Sequence, residues 1–152
     1  MDRQLWESFP PAAIELDREC EDWREAVRAS GELLVATGAA SDTYVEAVVA
    51  AIEELGPYIV LAPGIAIAHA RPEDGALAVG FSFVRLATPI EFGSRNNDPV
   101  EFVFSFASPD KEQHITALAT LADFIEAGSN LERLRTATSA QEVFNVIKEN
   151  AG

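Results

Sequence analysis

Apolar residues recur at helical spacing between Glu21 and Thr37, where Trp23, Val27, Leu34 and the neighbouring alanines mark one face. That period predicts an amphipathic helix, and Gly38 follows as its C-cap. Ser41 is a suitable N-cap for a second helix. In it Tyr44, Val45, Val48, Val49 and Ile52 form a core-facing stripe to Leu55, and Gly56-Pro57 stops it. The pattern then changes. Tyr58–Ala62 and Ile65–Ala68 are short β-rich runs split by Pro63-Gly64, which predicts a bend or hairpin with His69 at its tip. Glu73-Asp74-Gly75 is a turn. Val79–Leu86 is apolar on nearly both faces, as in a central strand covered by helices. Val100–Ala107 alternates, with Val100, Phe102, Phe104 and Phe106 on one face.

The flanks are less regular. Met1–Pro11 is an irregular lead (residues 1–12 as a unit) from which Trp6 and Phe9 pack onto the domain, and Ala13–Leu16 is a short edge strand. Thr88–Pro99 is a long polar loop, and loops of this length in compact domains are often functional. Asp110 with Gln113 forms a capping box for a helix from Lys111 to about Ala127, whose face His114, Leu118, Leu121, Ile125 looks inward. Leu131 and Leu134 make a short helical turn. Ser139 to Glu142 is a second capping box, opening a last helix with Val143, Phe144, Val146 and Ile147 on its apolar face. Strands mixed with flanking helices predict an α/β single-domain sandwich over residues 1–152, a mixed sheet of about five strands between helices.

Composition narrows the function classes. The chain has 152 residues, 48% hydrophobic and 24% charged, which suits one globular domain. No apolar run approaches the roughly 20 residues needed to cross a bilayer, and the N-terminus carries no export pattern. These features point to the cytoplasm and away from membrane insertion. The net charge of −14 argues against nucleic acid, which needs clustered Lys and Arg. It reads either as simple solubility or as a body that favours a basic partner. The single cysteine, Cys20, sits among Asp17, Glu19, Glu21 and Asp22 with only Arg18 in opposition. That field disfavours a thiolate, so Cys20 is expected to be inert.

Two histidines are present. His69 stands where a strand gives way to a loop, a place where a rigid scaffold presents reactive side chains. Its near-neutral pKa lets it serve as nucleophile, base or ligand. His114 lies in the first turn of its helix, where partial positive charge and free N–H groups suit a phosphate and keep an imidazole neutral. Each also has a structural reading as a hydrogen-bonded packing residue. Arg71 is two residues past His69 and can pair with phosphate oxygens or with Glu73 or Asp74. Two histidines without paired cysteines make a poor zinc site; no nucleophile elbow, P-loop or dinucleotide fingerprint occurs. No metal and no cofactor is expected. A general acid/base enzyme using His69 with a carboxylate stays open.

The run Gly56-Pro57-Tyr58-Ile59-Val60-Leu61-Ala62-Pro63-Gly64-Ile65-Ala66-Ile67-Ala68-His69-Ala70-Arg71-Pro72-Glu73-Asp74-Gly75 resembles the phosphorylation-site segment of EIIA components of the bacterial sugar phosphotransferase system, in the mannitol/fructose superfamily. The ascorbate-specific branch is most similar. Phe92-Gly93, Asn97-Asp98-Pro99-Val100 and His114 before Ile115 and Leu118 fit the same pattern, and the similarity runs from about Asp22 to Lys148. The resemblance implies a phosphocarrier. His69 would accept a phosphoryl group on Nε2 from phospho-HPr, with His114 beside it. The group would pass to a cysteine of an EIIB partner working with a membrane EIIC component. A basic face on HPr would suit the acidic body. A homodimer is left open. The alternative is a regulatory EIIA-like module whose His69 phosphorylation state controls a partner. The sequence departs from the family at two points. Ala68 stands where a Pro usually precedes the active His, which loosens the backbone there. The helix arginine of mannitol-type relatives has no counterpart between Val45 and Leu55, leaving Arg71 as the nearest phosphate-neutralising substitute.

Overall fold

Alternation in the strands sets up two cores on opposite faces of one sheet. The computed structural model describes residues 5–149. Five strands, β1 (Ile14–Arg18), β2 (Val60–Ala62), β3 (Ile65–Ala68), β4 (Gly80–Ile90) and β5 (Val100–Ala107), lie in the order β1-β4-β5-β3-β2. Pairing is mixed: β1 with β4 and β3 with β5 are parallel, while β4 with β5 and β2 with β3 are antiparallel. The α/β sandwich expected from the pattern is therefore the fold. On one face Val84, Leu86 and Val103 pack with Val27, Leu34, Val48 and Ile52 of helices α1 (Trp23–Ala36) and α2 (Asp42–Leu55). On the other, Phe81, Phe83, Phe102, Phe104 and Phe106 pack with Leu121, Leu134 and Ile147 of α3 (Lys111–Glu126), α4 (Asn130–Thr136) and α5 (Ala140–Glu149). Each buried phenylalanine contributes on the order of 2–3 kcal/mol of transfer free energy.

Several boundaries shift for local reasons. Helix α1 begins at Trp23 rather than Glu21, capped by Asp22, whose carboxylate accepts from Glu25 N at 2.9 Å. Ser41 stands at the cap position of α2 without capping it through its side chain; its hydroxyl donates to Gly75 O instead. Gly75, at φ 127°, sits so close beneath the start of α2 that a Cβ would strike the Ser41 hydroxyl. The capping box before α3 is altered: Asp110 accepts from Gln113 N at 2.8 Å, but Gln113 turns its amide onto the same carboxylate. Ser139 caps α5, while Glu142 reaches one residue further back, to Thr138 N.

Other differences are larger. The lead is not irregular where it is described, since Leu5–Ser8 and Pro11–Ala13 are short 3-10 helices; residues 1–4 lie outside the described residues. Phe9 stacks on Phe81 and Trp6 meets Phe144 edge-on, as expected of packing residues. Strand β4 runs to Ile90, so the loop shortens to residues 91–99. Pro89 fits within β4 because the ladder with β5 is irregular between Arg85 and Ile90. Beyond that irregularity Val100 pairs with Ile90 and joins the α1–α2 core, not the phenylalanine face. The half-buried Arg85 of β4 donates to the carbonyls of Leu134 and Arg135 in the last turn of α4 and of Ala137 just past it, and pairs with Asp17 of β1.

Candidate functional site

The Pro63-Gly64 turn points away from His69. Gly64 N donates to Asn97 O, so the tip of the β2–β3 hairpin is braced by the 91–99 loop. His69 follows the other end of β3, and the expectation that it sits at the hairpin tip is corrected accordingly. Because β3 and β5 are parallel, their C-terminal ends finish together, and chain leaving such ends forms crevices. Here the crevice opens between α2 and the start of α3. It is a cleft of about 1020 Å³ lined among others by Tyr58, His69, Arg71, Lys111 and His114. None of the residues 91–99 lines it; the loop serves the hairpin.

His69 is half-buried, and its ring is held on three sides. It stacks on Phe106 at 5.2 Å between centroids, meets Tyr58 edge-on at 5.9 Å, and faces His114 at 5.3 Å. Its Nδ1 lies 3.0 Å from Ile67 O. A carbonyl only accepts, so this contact fixes the proton on Nδ1 and leaves the lone pair on Nε2. Burial pushes the His69 pKa below its ordinary value, the Ile67 carbonyl works against this, and His114 adds to it. His114 is also shifted down by burial. Both rings are therefore neutral at pH 7. His114 N completes the first turn of α3 on Asp110 O, and its Nδ1 is buried without a hydrogen-bond partner.

Charge around the cleft is mixed. Arg71, expected as a phosphate ligand, lines the cleft, but its guanidinium pairs with Asp74 at 3.3 Å and its side chain is 75% exposed. Lys111, at the first position of α3, also lines the cleft and makes no ion pair among the described residues. Among those residues, no group of three or more His, Cys, Asp or Glu side chains comes together to hold a metal ion. Cys20 packs at the edge of the α1–α2 core, with its pKa raised by burial and then by Glu25.

Sequence reasoning found His69 and His114, which the fold brings into ring contact. It missed Lys111, read only as a helix start, and the hydroxyls of Tyr44, Tyr58 and Ser105 around the His69 backbone. The signal for Tyr44 was a phenol within an otherwise aliphatic stripe, because a buried Tyr hydroxyl needs a partner. Tyr44 OH accepts from Ala70 N at 3.0 Å and lies 2.8 Å from Phe106 O.

The chain is similar to known proteins over nearly its whole length. The family model for the phosphoenolpyruvate-dependent sugar phosphotransferase system, EIIA 2, matches residues 7–150. The ascorbate-specific PTS system EIIA component of Escherichia coli (strain K12) is 38% identical over 136 residues, 89% of this chain and 88% of that protein. Among solved structures, the mannitol-specific cryptic phosphotransferase enzyme IIA CmtB from Escherichia coli superposes with a TM-score of 0.87 at 32% identity, over 97% of this chain and 100% of that one. The enzyme IIA of the Escherichia coli complex of IIAMTL with phosphorylated IIBMTL does so with a TM-score of 0.80 at 29% identity, covering 93% and 99%. No helix among the described residues is long and apolar enough to cross a membrane. Extent of match and fold agree: this chain belongs to the EIIA 2 family, the phosphotransferase components of the sugar phosphotransferase system that carry phosphate on histidine.

Proposed function

We propose that His69 is the phosphoryl acceptor and that the chain relays the group in the cytoplasm from phospho-HPr to a cysteine of an EIIB partner, for uptake of an ascorbate-type sugar acid through a membrane EIIC. The observation that carries this reading is the Nδ1 contact with Ile67 O, because it leaves Nε2 as the nucleophile on a ring that lines an open cleft. In the forward step the Nε2 lone pair attacks phosphorus. The Nε2–P bond forms as the bond from phosphorus to the donor histidine breaks, and that pair of electrons returns to the donor ring. Nδ1 keeps its proton, so the His69 ring becomes cationic, and Ile67 O stabilises the charge it gains. In the second step a thiolate of EIIB attacks the same phosphorus and the electron pair returns to Nε2.

The remaining groups serve the phosphoryl oxygens. His114, neutral and at a helix N-terminus, donates one hydrogen bond to them. Arg71 and Lys111 neutralise charge, Arg71 by exchanging Asp74 for phosphate oxygens. The proposed sugar rests on the likeness to ascorbate-specific relatives at 38% identity. The test is reconstitution with Enzyme I, HPr, phosphoenolpyruvate and an EIIB of ascorbate type and one of mannitol type. Faster transfer to the ascorbate-type cysteine supports the reading; equal or slower transfer contradicts the assignment of sugar.

A further inference from the structure

Three consecutive residues carry the candidate nucleophile, and each is tied by a hydroxyl from a different element. Ser105 of β5 donates to Ala68 O at 3.1 Å. Tyr58, ahead of β2, donates to His69 O at 3.2 Å. Tyr44 of α2 accepts from Ala70 N at 3.0 Å, and it approaches Phe106 O at 2.8 Å. The Phe106 contact also matters to the ring, since Phe106 is the residue on which His69 stacks. A further restraint comes from within the segment, from His69 Nδ1 to Ile67 O. That last bond sets the tautomer, yet it spans only two residues of a chain that is leaving the sheet. Any rotation of the 68–70 backbone would move the ring off Ile67 O. Ala68 supplies no ring to restrain this rotation.

We infer that Tyr44, Tyr58 and Ser105 are positioning residues, whose hydroxyls fix the backbone at 68–70 and so hold His69 in the Nδ1–H tautomer with Nε2 aimed into the cleft. This deepens the reading of His69 as acceptor and rests on it for its kinetic consequence. Tyr44 is 1% exposed, so its hydroxyl lies out of a donor protein's reach, and Ser105 is likewise buried. Their effect must pass through His69. A misplaced nucleophile slows the chemical step and spares encounter.

The experiment uses the full chain with Tyr44→Phe, Tyr58→Phe and Ser105→Ala, each of which removes one oxygen and keeps the rest of the side chain. Nitrogen NMR shifts of the His69 ring report the tautomer in the unphosphorylated protein. Rates with phospho-HPr report the chemistry. The expected result is one Nδ1–H tautomer in the wild type and a mixture in the variants. With this, kcat should fall by roughly 10-fold with KM unchanged in Tyr44→Phe. Wild-type tautomer and kcat in all three variants would overturn the inference. Tyr58 is 36% exposed, so Tyr58→Phe tolerates the loss best; should the buried variants fail to fold, its tautomer alone decides. If the wild type took up no phosphate, the acceptor reading would fall, while the tautomer comparison would still test the anchoring.

Discussion

The imidazoles of His69 and His114 meet at 5.3 Å between centroids with their planes inclined at 64°, and both pack on the ring of Phe106. One comes from the end of β3 and the other from the first turn of α3. A group bonded to one ring nitrogen therefore lies within reach of a donor on the other ring. Replacing His114 by Ala removes a half-buried ring and should leave the fold intact. Phosphoryl transfer should slow by roughly 10- to 1000-fold if one preorganised hydrogen bond is lost. Rapid-quench rates in both directions check this, and unchanged rates would return His114 to a packing role.

Arg71 and Lys111 are the two cations lining the cleft, and they are placed differently. Arg71 is held by Asp74, whereas Lys111 has no ion pair among the described residues and lines the same cleft. Lys111→Ala should slow phosphorylation by about 3- to 10-fold, and Arg71→Ala by a similar factor. Arg71→Lys should fall between wild type and Arg71→Ala, because it keeps charge without the planar fork. Identical kinetics for all the Arg71 variants would mark it as a surface residue paired with Asp74.

The two histidines also predict a pH dependence. Both have folded pKa values below the ordinary 6.5, in each case chiefly through burial. As pH falls through about 6.5, the unfolded chain takes up protons before the folded one does. Their contribution to stability is thus complete above that pH. It declines as pH drops toward the folded values and is level below them. Phosphorylation of His69 should hold its rate to lower pH than a free imidazole would. Denaturant titrations and initial rates between pH 5 and 8 test both statements; stability rising as pH falls through this window would contradict them.

Cys20 is expected to take no part in the relay. Its thiol is pushed up by burial and by the Glu25 carboxylate, with Arg18 opposing, so little thiolate exists at pH 7. Cys20→Ser should accept and pass on phosphate as fast as wild type. A variant that is phosphorylated but cannot pass the group to EIIB would place Cys20 in the pathway.

Much of this was legible because periodicity is local. The stripes of α1 and α2 and the alternation of Phe102, Phe104 and Phe106 follow from side-chain geometry alone, and the run ending in His69-Ala70-Arg71-Pro72 carried the family resemblance. What escaped depends on partners distant in sequence. The extension of β4 through Pro89 needs an irregular ladder with β5, which the sequence of β4 does not encode. The reversed orientation of the hairpin depends on β3 joining β5 as a parallel neighbour. Arg71 turned to Asp74, one of two pairings its neighbours allowed, and Lys111 joined the cleft only once α3 docked against the ends of β3 and β5. Tyr44 reads as core because it is core, Ser105 gives no signal of its own, and the second role of both hydroxyls depends on the backbone they meet.

The most direct measurement is intact mass after incubation with Enzyme I, HPr and phosphoenolpyruvate. The wild-type chain should gain a single phosphate that is labile in acid and stable in base, as a phosphohistidine is. His69→Ala should gain none, and His114→Ala should gain one more slowly. Full incorporation in the His69→Ala protein would contradict the account, because the acceptor would then be another residue.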